Sequence, residues 1–141
     1  MNKMNDRIIL VSHLGLATGM KKALEFIVGE QSQLHAVELD EAGIEHFKKK
    51  LTLLPNDGQC DSTILVSDIP SGSPGATAYS YFAESGDVRL LSGMNLPLVL
   101  DLVLSSAIKP TEQLIPDAIT AAKETIQEYT IHSTGETEDD F

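Results

Sequence analysis

The stretch RIILVSHLGLATG, residues 7–19, sets the reading of the whole chain. Ile8 to Val11 form a continuous apolar run, the pattern of a strand buried on both faces of a parallel sheet. The run ends on Ser12 and His13, and a segment with two glycines follows. Beyond it Met20, Ala23, Leu24 and Ile27 recur at helical spacing, and Gly29 stands where such a helix would stop. An apolar strand, a polar end, a glycine turn and a helix together make one unit of an α/β protein.

The unit recurs down the chain. LHAVEL (34–39) alternates as a strand does, and Ile44, Phe47, Leu51 and Leu54 form one helical stripe that Pro55 and the turn residues NDG (56–58) bring to an end. STILVSD (62–68) is a second strongly apolar strand with a polar end. IPSGSPG (69–75) reads as a loop and ATAYSYFAES (76–85) as a short helix. DVRLLSGMN (87–95) is the next strand and its glycine turn, followed by the apolar helix LPLVLDLVLSS (96–106). A longer amphipathic helix spans 110–129, with Pro116 expected in or near its first turn, where a missing N–H costs little. YTIHS (129–133) is predicted as a short edge strand.

Strands alternating with helices imply a doubly wound α/β fold, a mostly parallel sheet with helices on both faces. One domain is expected over residues 1–133, with residues 134–141 as an acidic, disordered tail. In such a fold chemistry sits outside the carboxyl ends of the strands, and three of those ends carry SH, SD and SGMN.

Composition narrows the partners. The chain of 141 residues has a formal net charge of −11, of which the tail residues Glu136, Glu138, Asp139 and Asp140 supply four and leave −7 elsewhere. So acidic a chain is repelled by nucleic acid and anionic lipid and attracts basic protein surfaces. Cys60 is the only cysteine, which excludes an intrachain disulfide and a cysteine-based zinc site. No apolar run approaches the roughly 20 residues of a membrane span. The start MNKMNDR lacks the apolar core of a secretory signal, so a cytoplasmic protein is expected.

His13 and Asp68 end the two most apolar strands, which a doubly wound sheet places centrally. A carboxylate that accepts from one ring nitrogen fixes the imidazole tautomer and leaves the other nitrogen as a nucleophile. Backbone N–H groups at the start of the following helix, around Gly15, can bind an anion carried on that nitrogen. Histidine at a strand end and aspartate after one also occur as purely structural residues, so spacing leaves both readings open. A Ser12–His13–Asp68 hydrolase triad is disfavoured, because strand neighbours point to opposite faces and no G-x-S-x-G elbow is present. SGSPG is neither a Walker loop nor a dinucleotide fingerprint, and no spacing of a metal site occurs. His35, His46 and His132 carry no such context, and His46 lies beside Lys48 and Lys49 on a charged helix face.

Taken together, ILVSHLGLATGM, LVSDIPSGSP and LLSGMNLPLVLDLV resemble, in order, three motifs of the mannose-type enzyme IIA domains of the sugar phosphotransferase system. The resemblance runs from Arg7 to about Tyr129. It implies that His13 accepts a phosphoryl group from the phosphocarrier HPr and passes it to a IIB domain, without cofactor or metal. It further implies that Asp68 orients His13, that Gly15, Gly72 and Ser73 help form the phosphoryl pocket, and that the membrane is met only through the permease. A final antiparallel strand, filled here by YTIHS, and a homodimer built on its exchange are implied as well. Leu14 departs from the glycine usual after the histidine, Ser71 from the first glycine of the second loop, and Gly75–Ala76 from the bulky residue and asparagine common there. Two alternatives share the fold: the phosphotransfer subunit of a phosphoprotein-dependent dihydroxyacetone kinase, and a non-catalytic regulatory module. None of these readings names a sugar, which a IIA domain does not contact.

Overall fold

The computed structural model describes residues 6–55 and 62–131. Its elements are β1 (Arg7–His13), α1 (Leu16–Val28), β2 (Leu34–Leu39), α2 (Ile44–Thr52), β3 (Thr63–Ser67), α3 (Ser73–Phe82), β4 (Val88–Ser92), α4 (Leu96–Ser105) and α5 (Thr111–Glu124). The four strands form one parallel sheet in the order β2-β1-β3-β4. After β2 is laid on one side of β1, the chain crosses to the other side for β3, and this reversal opens a crevice at the carboxyl ends of β1 and β3.

The apolar run of β1 is continuous because both of its faces are covered. Ile8 and Leu10 join Ile64 and Val66 of β3 against Leu24, Leu98, Leu102 and Leu114 of α1, α4 and α5. Ile9 and Val11 point the other way, into a second core with Val37, Leu65, Phe47, Leu51, Ala78 and Phe82 beneath α2 and α3. Gly29 ends α1 with a φ of 88°, a left-handed conformation that glycine adopts at no steric cost.

At the amino ends of the strands the buried Asp6 carboxylate accepts from the hydroxyls of Ser62 and Thr111, the latter at 2.8 Å. The Asp6 N–H donates to Ser106 Oγ at 3.1 Å. These bonds lock the start of β1 to the start of β3 and to the α4–α5 connection. They also explain where α5 begins. Thr111, fixed by Asp6, is its first residue, so Pro116 lies inside the helix rather than in its first turn. Leu114 and Ala118 on either side of Pro116 remain buried, and the helix continues through it.

Two more expectations are corrected. The α3 helix starts at Ser73, so the SPG portion of the presumed loop is helical, with Pro74 in the first turn where its missing N–H is tolerated. The sheet is parallel throughout the described residues. The antiparallel edge strand expected at Tyr129–Ser133 does not form within this chain: Tyr129 to Ile131 lie outside the sheet, and residues 132 and 133 fall outside the described residues. A strand exists only where a neighbour supplies its backbone bonds, and no described strand does so for this segment. The NDG turn at 56–58, Cys60 and the acidic tail also lie outside the described residues. No helix among the described residues is long and apolar enough to cross a membrane.

Candidate functional site

Parallel pairing in the register Val11↔Ser67 brings the ends of β1 and β3 side by side. Both ends are built alike. Ser12 and Ser67 are buried, and each hydroxyl donates to the carbonyl two residues on, Ser12 Oγ to Leu14 at 2.9 Å and Ser67 Oγ to Ile69 at 3.1 Å. Ser12 Oγ also accepts from the Ala17 N–H at 2.8 Å, tying the turn to the first turn of α1. Serine here ties the backbone into a turn after which the chain leaves the strand.

The residue that follows each serine is His13 on β1 and Asp68 after β3, and the two meet. Asp68 Oδ2 stands 2.9 Å from His13 Nδ1 and accepts from the His13 backbone N–H at 2.9 Å, while Asp68 Oδ1 accepts from the Ile69 N–H at 3.0 Å. Burial raises the Asp68 pKa, but the bonds from the His13 backbone, the His13 ring and Ile69 outweigh it and hold the carboxyl below its ordinary value. An ionised carboxylate only accepts, so Nδ1 is the donor, which in the neutral ring makes Nε2 the nitrogen with the free lone pair. The histidine side chain is 46% exposed and the aspartate 10%, so the ring is open to solvent while its partner is shielded.

Of the loop residues expected at the site, Gly72 is in direct register with the ring. A Cβ there would lie 2.9 Å from His13 Cε1 and 3.2 Å from Ile69 Cγ1. Its backbone is extended, so glycine serves close approach to the imidazole and not an unusual dihedral. Ser73 follows as the exposed first residue of α3, whose amino end therefore opens beside the ring. Gly15 precedes α1 in ordinary geometry, and its nearest foreign atom would be Glu38 Oε2 at 3.9 Å, so no steric demand selects glycine there. The SGMN turn is attached to the site's floor by the Met94 N–H bond to the Ser67 carbonyl at 3.1 Å, and Asn95 caps α4 by accepting from Leu98 N–H at 2.9 Å.

Sequence reasoning missed Leu14. With φ at +50° it is the one non-glycine residue in the left-handed region among the described residues, a conformation that costs an L-residue about 1–2 kcal/mol. Its N–H donates to the Leu39 carbonyl at 2.8 Å and its carbonyl accepts from Ser12, so both of its peptide groups are pinned. No residue preference signals this conformation: the same Ser-x-apolar pattern at the end of β3, SDI, leaves Ile69 out of the left-handed region. His46 is exposed on α2 and His35 partly buried on β2, both away from this crevice. Among the described residues no group of three or more His, Cys, Asp or Glu side chains is placed to hold a metal ion.

Residues 7–120 match the family model described as the PTS system fructose IIA component, EIIA-man. The PTS system sorbose-specific EIIA component of Lacticaseibacillus casei is 27% identical over 109 residues, 77% of this chain and 79% of that protein. A Klebsiella pneumoniae protein ascribed to a phosphoenolpyruvate-dependent sugar phosphotransferase permease superimposes with a TM-score of 0.70 at 34% identity, covering 89% of this chain and 91% of that one. The mannose/sorbose-specific IIA subunit of Enterococcus faecalis, 21% identical, shares the fold with a TM-score of 0.74 over 92% of this chain and 98% of its own.

Two outcomes follow from the geometry. Gly72→Ala is expected to displace the imidazole, moving its ring resonances in nitrogen-detected NMR, at a cost of about 1 kcal/mol in stability; unchanged ring signals would contradict the contact. The depressed carboxyl of Asp68 adds stability that is complete above its ordinary value of 3.8 and is lost as pH falls toward the lower folded value. Denaturant midpoints should therefore drop more for the wild type than for Asp68→Asn between neutral pH and about pH 3, and equal drops would show that Asp68 is not coupled to the fold.

Proposed function

The chain belongs to the EIIA-man family of the sugar phosphotransferase system, and on that premise we propose that it is a cytoplasmic phosphoryl carrier working through a phosphohistidine on His13. The phosphoryl group comes from HPr and goes on to a IIB domain of a sugar permease. The observation that carries this reading is the Asp68–His13 pair, in which the carboxylate engages Nδ1 and leaves Nε2 of a part-exposed ring unengaged.

In the forward step the Nε2 lone pair forms the new P–N bond as the P–N bond of the donor breaks. The bonding pair of the donor returns to its own imidazole, which leaves as a neutral ring. His13 keeps its Nδ1 proton on Asp68 and becomes a phospho-imidazolium whose positive charge the carboxylate stabilises. The amino ends of α1 and α3, with Gly15, Gly72 and Ser73, direct backbone N–H groups and helix dipoles toward the phosphoryl oxygens. Transfer back out to the next protein uses the same atoms in reverse order.

Phosphoenolpyruvate, enzyme I and HPr should add one acid-labile, base-stable phosphate to the intact protein. His13→Ala should take up none, and Asp68→Asn should keep the fold and slow transfer about 10-fold. Label retained by His13→Ala would sink the assignment.

The domain, residues 1–133, is further read as a homodimer. Sheet edge β4 is unpaired on its outer side, and a groove of about 830 Å³ runs along it between Tyr79 of α3 and Glu112, Ile115 and Pro116 of α5. An uncovered edge invites a strand from a second copy, and the exposed Tyr129 and Ile131 head the segment that can supply it. Ending the chain after Glu128 should yield monomer or aggregate by light scattering, whereas removing only Glu136 to Phe141 should leave the dimer. A monomeric full-length protein at micromolar concentration would overturn this part.

A further inference from the structure

Leu14, Leu16 and Ile69, which follow the two site residues His13 and Asp68 in their turns, have 54%, 60% and 51% of their surfaces exposed. Leu14 and Leu16 follow His13 in the turn, and Ile69 lies against the same point beside Gly72 that His13 Cε1 touches. For Leu14 the fold offers no return on its left-handed backbone. Its side chain is not buried, and glycine would take the same φ without strain. What the fold does is hold the residue in place, through Leu39 on one side and Ser12 on the other. The strain is therefore kept at an exposed apolar residue directly after His13.

A protein that delivers a phosphoryl group to Nε2 must bring its own reacting atom to about 3–3.5 Å from the point of attack. At that approach its surface covers the residues on either side of the ring, and those residues are Leu14, Leu16 and Ile69. We propose that Leu14 is the specificity-determining contact for the phosphoryl donor protein, which meets it with an apolar patch around its own phosphohistidine. The net charge of −11 selects basic side chains outside that patch. This rests on the phosphocarrier reading of His13, and it assigns to Leu14 affinity for the donor and no part in the chemical step.

The test uses the full chain and two donors, phosphorylated HPr and the small molecule phosphoramidate, which needs no docking surface. Leu14→Gly and Leu14→Asn both accept a left-handed backbone, and Leu14→Met restores apolar contact. For the first two variants the KM for phosphorylated HPr should rise about tenfold or more, with kcat within about twofold. Their rate with phosphoramidate should match the wild type, and Leu14→Met should recover most of the lost affinity. An unchanged KM overturns the proposal, and so does a phosphoramidate rate that falls in step with the loss, because Leu14 would then act by placing His13. Failure of either donor to phosphorylate wild-type His13 overturns the phosphocarrier reading itself, and this inference with it.

Discussion

Asp68 Oδ2 receives two hydrogen bonds from one residue, from the backbone N–H of His13 and from its ring Nδ1. The first fixes where the end of β1 lies relative to the end of β3, and the second fixes how the imidazole is turned. One oxygen thus couples main-chain position to side-chain orientation. The coupling is available only because β1 and β3 are adjacent and parallel, with neighbouring backbones about 4.8 Å apart. Slipping the pair by one residue would place Asp68 beside a different backbone N–H and turn its side chain to the opposite face. The buried hydroxyls of Ser12 and Ser67 hold that register at the turn, and the close approach of Gly72 presses on the ring from the far side.

The site is a shallow crevice rather than a pocket. The carboxylate behind the ring is largely shielded from water, while the ring itself stays partly open to solvent. Such an arrangement suits transfer between macromolecules, where the partner supplies the missing wall and excludes water only while it is bound. An enzyme acting on a small molecule must build all of its own walls.

Much of this was legible in the residues. The unbroken run Ile8–Val11 identified a strand covered on both faces, and the polar residues ending it and STILVS located the crevice, because side-chain character follows burial directly. His13 and Asp68 could be singled out by position, but not their contact, which depends on a register written in no local pattern. Ser12 was considered only as a nucleophile; its place as a buried turn anchor follows from a hydroxyl reaching a carbonyl two residues away. Ser73 looked like loop because glycine and proline punctuate turns, although proline is equally at home in a first helical turn. The start of α5 was read to within one residue, so Pro116 falls five residues past it, inside the helix, where residue preference argues against proline. The left-handed backbone at Leu14 is invisible to residue preference, which argues against it. The described part of YTIHS, Tyr129 to Ile131, pairs with no strand of its own chain, because strand preference does not say which edge a segment joins.

The Asp6 network joins residues 100 and 105 positions apart, so it has a bearing on how the protein is made. The central strand β1 leaves the ribosome first, yet its buried carboxylate cannot be fully satisfied until Thr111 has emerged. Until then, the nascent chain holds a polar group that lacks one of its hydrogen-bond partners. The amino-terminal two-thirds therefore hold all four strands of the sheet but not the last hydroxyl that Asp6 accepts from. Ribosome-bound fragments that stop short of α5 are incomplete in a specific sense: their first strand lacks the partner that closes it.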